Sequence, residues 1–83
     1  MPEVLLAVEV SSVIDREDVN RARRRAALLR HAGSPVIPVV AGEKVTLGAE
    51  NEIQYHNVVL LQDGRVSLWD EALEALSTSK TEP

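Results

Sequence analysis

Six of the seven residues from Val4 to Val10 are apolar, and the exception is Glu9. A strand with one wet face alternates apolar and polar residues. An unbroken run instead predicts a strand covered on both faces, as parallel strands usually are. This first strand spans about Glu3 to Val10, and Ser11 to Ile14 connect it to a helix. From Asp15 the period changes to that of a helix. Asp15 is the N-cap, and Asp18, three residues on, completes a capping-box pattern. Glu17 and Asp18 suit the positive end of the helix dipole, and Arg30 and His31 the negative end. Gly33 is the expected C′ residue, so the helix covers about 16–32. Val19, Ala22, Ala26, Leu29 and Gly33 fall on its inner stripe, with Arg21, Arg24 and Leu28 opposite.

Val36 to Ala41 reads as a second strand, ended by Gly42. Pro38 removes a backbone donor there and points to a sheet edge or an irregularity. Thr46 caps a short helix over about 47–56. Val58 to Leu61 is a third strand, and Asp63-Gly64 is a strong hairpin signal leading to a returning strand, 65–68. Asp70 to Leu76 forms a last helix, with Ala72, Leu73 and Leu76 inward. No internal repeat is legible. The order is β-α-β-α-β-β-α, an α/β domain with a small mixed sheet over residues 1–76, followed by a disordered tail, 77–83.

The chain has 83 residues, no Cys, no Phe, one Trp and one Tyr. The core is therefore aliphatic, and disulfides and thiolate metal sites are excluded. No apolar run approaches the ~20 residues of a membrane span, and the first residues lack a signal-peptide pattern. A cytoplasmic protein with no membrane association is expected. The net charge is −4, yet residues 15–32 carry six arginines against three acidic residues. Arg21, Arg24 and Arg25 are the candidate phosphate contacts of a weak, electrostatic DNA-binding face. A solvated face with Glu17 paired to Arg21 is the competing reading. His31 and His56 are isolated, which does not suit zinc. Ser11 and Ser12 lack the context of an activated nucleophile, and no phosphate-binding glycine motif is present.

Glu9 carries the chemical hint, because a carboxylate seldom sits in an apolar run without a partner. It lies near the carboxyl end of its strand, where ligand sites of open α/β sheets form. The segments Ala7-Val-Glu-Val-Ser-Ser12, Asp18-Val-Asn-Arg-Ala-Arg-Arg-Arg-Ala26 and Pro35-Val-Ile-Pro-Val-Val-Ala-Gly42 resemble the C-terminal part of nuclease-like domains of uncharacterised bacterial proteins. Those domains belong to the restriction-endonuclease-like superfamily, whose signature is PD…(D/E)XK. The resemblance covers about residues 4–68. It implies a truncated restriction-endonuclease-like fold in which Glu9 stands as the acidic residue of (D/E)XK, the catalytic and metal-binding position. There it would hold Mg²⁺ together with a second carboxylate.

The chain departs from that pattern in two places. Ser11 stands where the lysine belongs, and the first aspartate of the signature has no counterpart before Val4. The expected function is thus a catalytically inactive nuclease-like domain acting as an assembly or nucleic-acid-associated module, with no required cofactor. One alternative is a Mg²⁺-dependent nuclease, a metal-dependent phosphodiesterase completed by a partner chain or by upstream sequence. Another is a small-ligand or protein-binding domain. A homodimer is expected as well. The first strand would lack the neighbour its parent fold supplies, and Leu28 projects among arginines beside it. The last helix with Trp69 could instead fold back over that edge.

Overall fold

The computed structural model describes residues 3–81, and side chains as far as Leu76. Its elements are β1 (Leu5–Val10), β2 (Val13–Ile14), α1 (Arg16–His31), β3 (Val36–Ala41), β4 (Lys44–Val45), α2 (Leu47–His56), β5 (Val59–Gln62), β6 (Arg65–Ser67) and α3 (Trp69–Thr81). Four strands form one mixed sheet in the order β1-β3-β5-β6. The first three are parallel, and β6 returns antiparallel to β5. The small mixed α/β architecture expected from the hydrophobic pattern is present. The tail expected at 77–83 falls on residues whose side chains, and at 82–83 whose backbone, lie outside the described part. Helix α3 itself continues past Leu76 to Thr81.

Two βα units are built alike. Strands β1 and β3 pair along their whole length, bend together, and resume pairing as β2 with β4. Each unit then enters a helix through a side-chain cap. The Asp15 carboxylate accepts from the Asp18 N–H, and the Thr46 hydroxyl oxygen accepts from the Ala49 N–H. The interval between partners is the same throughout, from Leu5 with Val36 to Ile14 with Val45. The chain therefore holds a structural repeat that the residue identities hide. The shared bend needs Gly42, which lies against the Ser11 carbonyl and the Ile14 side chain, where a Cβ does not fit.

The two sheet faces are covered unequally. On one face α1 and α2 bury Val19, Ala22, Ala49 and Ile53 with Val40, Val58 and Ile14 of the strands and connections. Ala26 packs on Ala7 and Val36. The small residues of α1 let it lie close to the sheet, as its stripe predicts, although Leu29 stays largely exposed. On the other face α3 supplies Ala72 and Leu76 over Ile37, Val39 and Val59. That covers only part of the face.

Two expectations change. The first strand lies at the sheet edge, as its missing neighbour implies, but it is not buried on both faces. Ala7 is buried, but Leu6, Val8 and Val10 point to the second face and are 49%, 42% and 77% exposed. Pro38, read as an edge signal, sits in the sheet interior on β3. The ladder explains why. The Leu5 N–H donates to the Pro35 carbonyl and the Gly42 N–H to the Leu61 carbonyl. Even-numbered residues of β3 therefore turn toward β5, whose pairing begins only at Val39 with Val59. Pro38 lacks an N–H at a position one residue before there is a partner strand to receive it.

The chain reverses between β5 and β6 at Asp63-Gly64, both with positive φ (51° and 74°), as the hairpin signal predicts. Leu68 also has positive φ (66°), a conformation costing roughly 1–2 kcal/mol for a residue with a Cβ. It packs against the core under α2 while its carbonyl accepts from the Ala72 N–H and starts α3. The strained residue is thus the pivot that carries the chain from one face of the sheet to the other.

Candidate functional site

Glu9 pairs in the ladder with Val40, which is fully buried under the helices. Its carboxylate therefore starts on an apolar face and needs compensation. Two arginines on adjacent turns of α1 provide it. Arg21 Nε lies 3.6 Å and Arg25 Nη1 3.8 Å from Glu9 Oε1, and the Glu9 side chain keeps only 17% of its exposure. Oε1 is buried and, among the described residues, receives no hydrogen bond. The ion pairs are thus charge contacts without a directed bond.

Arg21 also joins a second carboxylate to the cluster. Its Nη2 donates to Asp18 Oδ1 at 2.5 Å, while Asp18 Oδ2 accepts from the Asp15 backbone N–H. Asp18 is 7% exposed. The Asp15 backbone N–H, followed by Arg21, holds the Asp18 carboxyl below its ordinary pKa, against the upward push of burial. Arg21 is held more firmly in its charged form, chiefly by its hydrogen bond to Asp18. Glu9, Asp18, Arg21 and Arg25 form a network with two charges of each sign, built where β1 ends and α1 begins.

Of the three arginines expected to meet phosphate, Arg21 and Arg25 reach toward Glu9 and Arg24 toward Glu17, with all three side chains still 48%, 63% and 64% exposed. The expected pairing of Glu17 with Arg21 is replaced by Arg21 with Asp18 and Glu9. Asp18 and Arg21 are three residues apart on one helix, a pairing that spacing allows. The contact of Arg21 with Glu9 joins α1 to β1 and is not encoded in spacing.

A divalent ion fits this donor set poorly. Mg²⁺ takes carboxylates and waters in octahedral geometry, whereas the Glu9 carboxylate has two guanidinium groups beside it. Both Asp18 oxygens are engaged, and the Ser11 hydroxyl donates to the Val13 carbonyl. Among the described residues no three His, Asp or Glu side chains converge. His56 contacts Glu52 at 3.1 Å, and Glu52 lies 4.0 Å from Arg16, a network that ties α2 to the start of α1.

The second notable surface is the uncovered sheet face. Leu6, Val39, Val59, Leu61, Val66 and Trp69 line a groove of about 380 Å³ beside α3. Val8 and Val10 extend the same face to the free edge of β1. The signal for this surface is present in the apolar run of β1, which states a demand for burial that one chain leaves unmet. No helix among the described residues is long and apolar enough to cross a membrane.

Comparison with known proteins adds no assignment: no family model, no curated protein and no solved structure matches the chain.

Proposed function

We propose that the chain is a nuclease-like domain without catalytic activity that serves as an assembly module, with any nucleic-acid contact electrostatic and confined to α1. The observation that carries this reading is the commitment of Glu9 to Arg21 and Arg25. Two guanidinium cations within 4 Å of Glu9 Oε1 already balance its charge and repel a further divalent cation. Here the arginines neutralise a carboxylate that the sheet buries, which is a structural task. The uncovered apolar face supports the assembly half of the proposal, because monomers seldom leave such a surface open.

The test is incubation of the purified chain with single- and double-stranded DNA and RNA in Mg²⁺ or Mn²⁺. The expected result is no cleavage. Metal-dependent cleavage that disappears in Glu9→Gln would overturn the reading. Asp18 brings a second carboxylate to the cluster and is the one feature favouring a metal-dependent nuclease. Its oxygens are already bound by Arg21 and the Asp15 N–H, so the inactive reading accounts for more of the geometry.

A further inference from the structure

We infer that the partner of this assembly module is a second copy of the same chain, joined edge to edge through β1 about a two-fold axis at Val8. The inference rests on the assembly reading and names its partner. Among the described residues β1 pairs only with β3, so its other edge is free. The N–H groups of Leu5 and Ser11 donate to β3, so Leu6, Val8 and Val10 turn their N–H and C=O groups outward. Soluble proteins blunt such an edge with charge, proline or a bulge. None of these stands at an outward position of β1. Its one charge, Glu9, is turned under α1 and held by Arg21 and Arg25. The opposite edge, β6, is only three residues long and carries Arg65.

The edge is also self-complementary. Antiparallel pairing of two β1 strands about Val8 sets Leu6 against Val10 of the other copy and Val8 against its own equivalent. All of these are apolar, and all lie on the uncovered face. On the helix-covered face Glu9 falls opposite Ala7, the smallest residue of the strand, so the two carboxylates do not meet. Such pairing is isologous and closes at two copies.

The helices fit the same arrangement. α1 packs on both β1 and β3, through Ala7 and Val36. With strands ~4.8 Å apart, two α1 helices related by the axis lie about 10 Å apart, the distance at which helices pack. The flank of α1 over the free edge carries Arg21 and Arg25, identified by their contacts with Glu9, and Leu28 one turn further. Leu28 is 72% exposed and would be buried there. The arginines arrive already neutralised by Glu9 and Asp18.

Sedimentation equilibrium of the full chain at micromolar concentration, with amide hydrogen exchange, tests the proposal. The expected mass is twice the 9.1 kDa of one chain, with the outward amides of Leu6, Val8 and Val10 protected. Val8→Lys places like charges on the axis at a position exposed within one chain, and is expected to abolish the dimer while far-UV circular dichroism is unchanged. Val66→Lys, on the same face but away from the edge, is expected to leave it intact. A monomer with rapidly exchanging Leu6, Val8 and Val10 amides overturns the inference. So does a dimer lost in Val66→Lys but kept in Val8→Lys, which would pair by faces. These outcomes are separate from cleavage, which alone decides whether the module is catalytic.

Discussion

Replacing Gly42 with alanine perturbs the bend at which both βα units leave the main sheet. A Cβ at Gly42 would fall inside contact distance of the Ser11 carbonyl oxygen and 2.8 Å from Ile14 Cγ1. Neither neighbour is free to yield. Ser11 is tied by its N–H to the Ala41 carbonyl at 2.9 Å, and Ile14 is fully buried in the main core. Overpacking of this kind costs roughly 1–3 kcal/mol, and a backbone obstacle places Gly42→Ala in the upper half, about 2–3 kcal/mol. For a domain of this size that lowers Tm by roughly 10–20 °C. Gly48→Ala is the control. Gly48 lies within α2, and the nearest atom to its added Cβ is the flexible end of Arg16 at 3.5 Å. There the substitution is expected to stabilise by about 0.5–1 kcal/mol through helix propensity. Urea denaturation followed by circular dichroism reads both signs. Gly42→Ala within ~0.5 kcal/mol of the parent, the range of an inert surface change, would refute the close approach assigned to the bend.

The charge network gives two further expected outcomes. The Asp18 carboxyl is held below its ordinary pKa, so its contribution to stability is present above about pH 4 and is lost as pH falls through the lowered folded value. Asp18→Asn should therefore weaken the fold at pH 7, with the difference from the parent shrinking in strong acid; a pH-independent difference would contradict this. Arg21→Ala should destabilise the fold, because it removes the shared cation of Glu9 and Asp18. Arg24→Ala should leave stability unchanged, and equal losses in the two variants by urea denaturation would show that the cluster is not specific.

The parts of the fold legible in the residues are those with local chemistry. Asp15 with Asp18 marks the start of α1, Thr46 that of α2, and Asp63-Gly64 the hairpin. β2 and β4 escape because two residues carry no period, and they exist only because the bends at Ser11 and Gly42 keep the two segments in register. The repeat is hidden because only backbone geometry and capping are repeated, while Glu9 in one unit answers to Val40 in the other. The run Val4–Val10 predicts a doubly covered strand, yet hydrophobicity records a need for cover and not who provides it. Pro38 misleads for a related reason: whether a missing donor matters depends on where the next strand begins. At the candidate site Glu9 is visible as a misfit, but its partners depend on how α1 crosses β1.

The commitment of Glu9 to Arg21 and Arg25 is tested most directly by titrating paramagnetic Mn²⁺ into the isotope-labelled chain and following amide signals by NMR. The account predicts that Glu9, Val10 and Asp18 broaden no more than residues around the solvent-facing carboxylates Glu43 and Glu50. Selective loss of the signals from Glu9 to Ser11, at Mn²⁺ concentrations that leave those others sharp, would contradict it and make Glu9 a metal ligand.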